Sequence, residues 1–580
     1  MIVALQKVKG VTYVYLRESY WDPVRKKTTS RNIKSFGRLD HLEAKNPNFL
    51  RELEEEIARN KDAREAERIE AISTRARDIK VSLTQGSDSG SDNLSTMLGP
   101  YVLKRVWDKL SMPRKLRAIQ SETNLRFDLP SCAWFLTAAR ILMPDSKLGQ
   151  WQQANQLMNS GSKFKLHHLY RTLDILTQRK DQLVTYLNRQ IARKYGRTPS
   201  VVLYDVTTYF FESQDAGELR NFGFSKDNKV NQVQVVMGLL IDQNGIPIDY
   251  ELFSGNQNEF GTMLPILQKL REKYGIERVI VTADRGLNSG ANLFAIKNMG
   301  FEYVIAHRIR SSSNEVKKLI DGIATWSTYS GTTGSLSDIS RYCVTDDIRK
   351  VRITENGVTR TETIRSKLLL NYSRARARKD AHDRNRLIEK ARRLAENPAL
   401  LKSELRRGGK SYLAISDDEL QATVDEKKIQ EAARFDGFYG ITYSDPAMTP
   451  QEVLSIHHSL WQIEESFRIS KSLLNARPCF HWSDNRIKGH FLICYLALVM
   501  FRLLEADLEA QGVKLSAEQI TDALRNASVT AVALSDTETA YFKIGTEGEF
   551  QEISQAMGLG TIPRMATPQS LKAALRVKEL

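Results

Sequence analysis

Asp205 lies inside the apolar run VVLYDVT, and Asp284 closes the run VIVTADRG, where Gly286 lets the chain turn at once. A carboxylate among apolar neighbours is costly to bury unless it is paired or binds a cation. Sites in open α/β sheets form at the carboxyl ends of strands, which is where Asp284 falls. Two carboxylates on adjacent central strands make a hard-oxygen pair suited to Mg2+ or Mn2+. Each alone has a plainer reading, Asp284 as the cap of the following turn and Asp205 as the partner of an arginine. A third carboxylate comes from LWQIEESFRISKSLLN. With Ile463 as origin and about 100° per residue, Leu460, Phe467 and Leu474 cluster within about 60°, forming the face that docks on a sheet. Glu464 flanks that face, and Lys471 shares the flank, placed for a phosphate oxygen. Glu465 points nearly opposite, into solvent. Three such carboxylates can hold two divalent ions about 4 Å apart, the arrangement that serves in-line phosphoryl displacement. No Cys/His cluster or Gly-x-Ser-x-Gly element competes, and no glycine context forms a phosphate-cradling loop, which disfavours nucleotide hydrolysis.

The elements that must position these groups are legible from periodicity. SVVLYDVTTYFF, VQVVMGLLID and PIDYELFSG read as strands, the last two joined at Asn244-Gly245, a strong hairpin signal. A helix (TMLPILQKLREKYG), a strand ending at Asp284, a helix (SGANLFAIKNMG) and a strand (EYVIAHRI) follow. Hairpin-connected strands run antiparallel, so residues 197–310 are expected to form a mixed-sheet α/β layer. Residues 311–446 break the pattern with short β-like runs and a basic helix; from Arg374 to Arg393 it carries nine Lys/Arg against three Asp/Glu. They are predicted to be an insertion domain, because strong helices resume over 447–511. Residues 512–580 read as an α/β tail with no visible chemistry. Upstream, 1–40 read as a basic β module in which Arg25 to Arg38 hold six basic residues and no acidic one. Residues 41–95 read as a charged helix ending in a Gly/Ser/Asp linker at Leu83 to Asn93. Residues 96–196 read as a helical domain, either a DNA-binding helix-turn-helix or a structural layer.

The whole chain sets the frame. Its 580 residues carry 85 Lys+Arg against 69 Asp+Glu, a net charge of +16, on an ordinary 41% hydrophobic composition. That excludes disorder as a whole-chain description and favours a polyanionic partner. No apolar run reaches the roughly 18–20 residues of a membrane span. Cys132, Cys343, Cys479 and Cys494 are too scattered for a disulfide framework or a zinc ribbon. The N-terminus MIVALQKVKG lacks the pattern of a secretion signal, so a cytoplasmic protein is expected.

YDVTTYFFES, VTADRGLNSGANL and LWQIEESFRISKSLLNARPCFHW resemble the three catalytic segments of bacterial insertion-sequence transposases with a DDE, ribonuclease-H-like core. The likeness is to the branch with a β-rich insertion before the Glu and a Y-x2-R-x3-E-x6-K signature on the helix. On this chain its Glu falls on Glu464 and its Lys on Lys471, while His457 and Leu460 stand at the Tyr and Arg positions, so half the signature departs. The resemblance covers about Val201 to Phe501. It implies a multidomain α/β protein with a ribonuclease-H-like mixed-sheet core, split by a β-rich insertion and preceded by a small β module and a helical domain. It implies Asp205, Asp284 and Glu464 as catalytic residues and metal ligands for two Mg2+ (or Mn2+) ions. Lys471, Arg285, Thr207, Arg468 and His457 would meet the DNA phosphates or the strand end. Relatives hold a flipped base with an insertion-domain tryptophan, a role that would fall to Trp326. Arg25, Lys26, Lys27, Arg31 and Lys34 would bind the terminal repeat, and Arg374, Arg376 and Arg378 would track phosphates. The implied partners are the inverted repeats and target DNA, with a homodimer pairing two ends. The implied reaction is hydrolysis at the element's ends, then attack of the 3′ hydroxyl on target DNA. Two other readings stay open: a DNA-binding relative without the chemistry, and a metal-dependent nuclease that only hydrolyses.

Overall fold

In a computed structural model of the chain, residues 2–8, 10–22, 27–60, 67, 70, 95–157, 164–212, 215–223, 232–257, 261–274, 279–329, 339–355, 358–397, 412–415, 422–533 and 539–576 are described. They divide into two compact units, residues 1–98 with 526–580, and residues 99–157 with 161–525. The predicted linker at Leu83 to Asn93, and Arg25 and Lys26, lie outside the described residues, as does the side chain of Lys27.

The first unit starts with an antiparallel sheet of β1 (Ile2–Val8), β2 (Val11–Asp22) and β3 (Lys27–Arg38). Arg31 on β3 pairs with Glu18 at 3.2 Å, and the Lys34 ammonium lies 5.0 Å from the Phe36 ring. Strand β4 (Ser95–Met97) completes the part of this unit drawn from the N-terminal side.

The second unit is built on one large mixed sheet. Its strands are β5 (Val201–Phe210), β6 (Gln234–Asp242), β7 (Pro247–Ser254), β8 (Ile280–Ala283), β9 (Glu302–His307), β10 (Ile339–Glu355), β11 (Val358–Ser373) and β14 (Phe438–Tyr443). A separate two-stranded pair, β12 (Leu413–Ile415) and β13 (Ala422–Val424), packs with the basic helix Arg374–Ala395. The spatial order of the large sheet is β10-β11-β14-β9-β8-β5-β6-β7. Strands β5, β8 and β9 are parallel, whereas β6 and β7 meander antiparallel off β5, turning at Asn244-Gly245 as predicted. The region predicted as short β-like runs forms strands of 17 and 16 residues, β10 and β11, paired throughout as one long hairpin. With β14 it continues the sheet beyond β9.

Both faces of the sheet are covered. One face packs Tyr204, Val206, Val281 and Ile305 against the helices Met263–Tyr274 and Gly290–Asn298. On the other lies the 27-residue helix Asp484–Ala510, whose Phe491 and Tyr495 meet Tyr209 and Tyr250 at ring separations of 5.0 and 4.9 Å. Each such aromatic pair contributes about 1 kcal/mol beyond its burial. No helix among the described residues is long and apolar enough to cross a membrane. Within 96–196 lie the helices Gly99–Lys109, Leu129–Leu142 and Leu166–Gln178, the last two packed on the long helix. The chain then returns to the first unit, where β15 (Ser528–Ala533), β16 (Thr539–Ile544) and β17 (Met565–Ala566) join β4 in a four-stranded sheet.

Candidate active site

Parallel pairing of β5 with β8 ends at Tyr204 opposite Ala283. The next residue in each segment is an aspartate, Asp205 within β5 and Asp284 just past the end of β8, two strands about 4.8 Å apart. Strand β8 stops there because Asp284 caps a short 3-10 turn, its Oδ1 accepting from the Arg285 N–H at 2.6 Å. Asp205 Oδ1 likewise accepts from the Val206 N–H at 2.7 Å. The third carboxylate arrives on the helix Trp461–Arg468, which is separated from the helix Pro450–His458 by a break at Ser459 and Leu460. Ile463 and Phe467 are buried, as the helical period predicts, but Glu464 is the exposed neighbour and Glu465 the partly buried one, the reverse of the flank and solvent positions expected of them.

Asp205, Asp284 and Glu464 line one cleft of about 1010 Å³, together with Arg285, Arg308, Arg310, Arg376, Asp380, Tyr439 and His457. Four arginines therefore rim the carboxylates, a charge pattern that attracts phosphates to the edge of an acidic centre. Arg376 lies 5.1 Å from the Tyr439 ring, and Tyr439 stacks on His457. Among the described residues no three His, Cys, Asp or Glu side chains are drawn together tightly enough to hold an ion. Like-charged carboxylates repel one another, and the two aspartates turn instead onto backbone N–H groups. The donor chemistry, all carboxylate oxygen, fits a hard divalent cation and no softer metal.

Other expected site residues fall elsewhere. Lys471 sits in a π-helical turn, Ile469–Leu473, closed by a Leu474 N–H to Ile469 carbonyl bond, and its ammonium lies 5.8 Å from the Tyr209 ring outside the cleft lining. A π turn adds a residue to the repeat, so the flank shared with Glu464 at 100° per residue is lost there. Arg468 donates from Nε and Nη2 to Glu465 at 2.7 and 2.5 Å and from Nη1 to Glu518, so it is held in ion pairs rather than offered to a strand end. Glu465 is accordingly three-quarters covered rather than pointing into solvent. Thr207 is buried within the sheet. Trp326 is a core residue, 7% exposed, edge-on to Phe438 and donating its indole N–H to the Leu319 carbonyl at 2.9 Å. Its ring offers no face to a base, which corrects the stacking role expected of it. Arg374 and Arg378 are exposed on the same helix as Arg376 but do not line the cleft.

A supporting network escaped the sequence reading. Arg349 on β10 grips Asp347 through Nε and Nη2, with a shortest distance of 2.6 Å, and donates from Nη1 to Asn288 Oδ1 at 2.8 Å. Asn288 belongs to the turn begun by Asp284 and donates to the Ala306 carbonyl at 2.8 Å. Arg349 Nη2 also reaches His307 Nδ1 at 3.1 Å, and His307 Nε2 meets Ser312 Oγ at 2.9 Å. The long hairpin thus ties the Asp284 turn to the neighbouring strand. Asn288 lies in VTADRGLNSGANL and His307 in the strand EYVIAHRI, but no spacing in the sequence ties either to Arg349 or Asp347.

Burial, aided by the Arg349 charge and opposed by Asp347, pushes His307 down to about 4. His457 is also pushed down to about 4, chiefly by burial, then by His458 and Arg376, with Asp284 opposing. Both imidazoles are neutral at pH 7. An unfolded histidine titrates near 6.5. Between about pH 6.5 and 4 the unfolded chain therefore takes up protons that the folded chain refuses. Stability from these groups is complete above 6.5 and is lost as the pH falls towards 4. The thermal midpoint is expected to drop steadily across that window, and a flat response in a pH series of thermal unfolding would contradict the burial of these rings.

A family model described as a transposase DDE domain matches residues 196–500, which is 305 of 580 residues. A second, described as the N-terminal domain of IS1634 family transposases, matches residues 5–70. No curated protein matches the chain. Among solved structures, a cryo-EM structure of the piggyBac transposase synaptic complex with hairpin DNA is similar over 74% of this chain and 76% of that one, with 11% identity and a TM-score of 0.35.

Proposed function

From the premise that this chain belongs to the DDE transposase family, and is a DNA-cleaving and strand-transferring enzyme, we propose that Asp205, Asp284 and Glu464 are its catalytic carboxylates. The observation that carries the assignment is their meeting in one cleft rimmed by Arg285, Arg308, Arg310 and Arg376. Enzymes of this family use divalent metal ions. We take these to be two Mg2+, or Mn2+, held by the three carboxylates and supplying Lewis acidity to the attacking and leaving oxygens. The strand order β7-β6-β5-β8-β9 supports a ribonuclease-H-like core, with residues 311–446 as an insertion whose hairpin lengthens the sheet.

The chain's own residues divide the remaining work. The arginine rim binds the phosphates flanking the scissile bond and aligns them in the cleft. His457, neutral and stacked on Tyr439, offers a ring nitrogen to the strand end without adding charge. End hydrolysis frees a 3′ hydroxyl, which then attacks a target phosphodiester in the same cleft. Two ends must be joined, so a homodimer is the expected working form. Arg31 and Lys34 on β3, and Lys27 with them, would hold the terminal repeat, while Arg374 and Arg378 extend the phosphate track of Arg376.

The test uses a plasmid carrying the DNA ends that bracket the coding sequence. With Mg2+ the protein is expected to nick at those ends and join them to a second plasmid, and with EDTA it is expected to do neither. Nicking without joining would instead favour a nuclease, and binding without either a regulatory relative.

A further inference from the structure

The helix bearing Glu464 runs through its π turn into residues 475–483, and this loop is anchored to the strand bearing Asp205 by a parallel bridge between Cys479 and Phe211. Beneath it lies a second pocket, of about 220 Å³, whose lining includes Arg140, Lys147, Arg477, His481 and His490 and a single carboxylate, Asp145. The charge is one-sided and buried. Arg140 and His490 are 3% and 4% exposed, and Lys147 is 2% exposed with its ammonium reaching only the Gln150 side-chain carbonyl, at 3.4 Å. Arg140 Nε and His490 Nδ1 have no hydrogen-bond partner. Burial and the Arg140 charge hold Lys147 and His490 well below their ordinary values, so the pocket is short of negative charge, and buried polar nitrogens without partners are rare in folded proteins. An anion would answer both: it would accept from Arg140 and Lys147 and draw a proton onto His490. Phe480, 58% exposed, lines the pocket, and two residues along the same loop Trp482 is 64% exposed. Trp482 is backed on one face by the Arg220 guanidinium, 5.4 Å from its ring and itself packed on Phe211. An exposed, stiffened aromatic beside a cationic pocket is the arrangement on which unpaired bases stack.

We propose that this pocket holds a phosphate of an unpaired DNA strand whose neighbouring base stacks on Phe480 and Trp482. Its distance from the catalytic carboxylates follows from the strand. Six residues separate Asp205 from Phe211, about 20 Å at about 3.3 Å each. That is about six phosphate intervals of a duplex strand at ~3.4 Å, and fewer for a stretched single strand. The pocket would hold the unpaired flank of an end whose scissile phosphate lies in the cleft. Only that last placement rests on the catalytic reading of the cleft.

The test is fluorescence anisotropy with the full chain in EDTA, using labelled oligothymidylate of ten nucleotides and a ten-base-pair duplex. The double variant Phe480→Ala/Trp482→Ala is expected to bind oligothymidylate at least about tenfold more weakly than the wild type and the duplex almost equally. Arg477→Gln is expected to weaken oligothymidylate severalfold and to lower the slope of log K against log salt by about 0.7. Oligothymidylate affinity within twofold of wild type in both variants, or equal losses for both probes, would overturn the proposal. Phe480 and Trp482 are exposed and Arg477 is partly buried against the Phe210 ring, and unchanged thermal midpoints would establish that both variants fold. Asp205→Asn is expected to bind oligothymidylate as the wild type does. If Asp205→Asn still cleaved DNA ends, the catalytic assignment would fail while the pocket stood.

Discussion

Asp205→Asn, Asp284→Asn and Glu464→Gln are each expected to reduce cleavage of DNA ends by at least about 10³-fold, close to 4 kcal/mol of transition-state stabilisation. Each substitution keeps the shape of the side chain and removes only its charge, so the sheet and helix are left intact. The two aspartates occupy equivalent places one residue past the last β5–β8 pair, which makes their contributions inseparable: losing either leaves a divalent ion with an incomplete set of oxygens. Binding of end DNA is expected to stay within about threefold of wild type, or to tighten, because a negative charge has left a cleft that receives phosphates. The informative control is Glu465→Gln. Glu465 neighbours Glu464 in sequence but bonds to Arg468, which in turn holds Glu518. Its neutralisation is expected to lower stability modestly and to spare cleavage. An inactive Glu465→Gln beside an active Glu464→Gln, read in one gel-based cleavage assay, would show that the helix had been placed wrongly.

The reason two of these carboxylates were legible lies in the strands that carry them. VVLYDVT and VIVTADRG bury both faces of a central sheet, so any charged residue within them stands out against its neighbours. Glu464 was legible because a docking helix keeps its period as far as Arg468. Lys471 was misplaced because the period changes two residues before it, and nothing in ISKSL announces a π turn. The long hairpin was broken into short runs for a related reason. Its outer half alternates half-buried and exposed residues, many of them charged, so the apolar signature of a strand fades while the pairing continues for 17 residues. Trp326 illustrates the opposite case, in which a resemblance assigns a family role to a tryptophan by its place in the chain. Its indole N–H is answered by a carbonyl seven residues earlier, a local solution that spacing alone does not reveal. The cationic pocket joins residues near 140, 147, 477 and 490, and no linear pattern brings those together.

Arg349→Ala is expected to be the most damaging substitution outside the three carboxylates, and for a reason the sequence conceals. Arg349 does not line the cleft. It acts through Asn288, in the turn begun by Asp284, and through His307, which does line the cleft. Loosening that turn by about 1 Å is enough to cost on the order of 10²-fold in rate. The same substitution strands Asp347, a carboxylate whose side chain is only 13% exposed and whose shortest contact is Arg349 itself. Discounted for partial exposure, the loss of that pair is on the order of 2 kcal/mol of stability. The two effects separate in a double-mutant cycle. Asp347→Ala combined with Arg349→Ala removes the orphaned charge, so much of the stability is expected to return, whereas cleavage is not, since Asn288 and His307 stay unheld. Arg349→Lys is expected to recover little of either, because a point charge cannot grip Asp347 with two nitrogens while reaching Asn288 with a third. Thermal unfolding and single-turnover end cleavage across the four proteins measure both terms. If cleavage returned in step with stability, Arg349 would matter only for folding; if stability alone returned, the hairpin would be the clamp that holds Asp284 in register with Asp205.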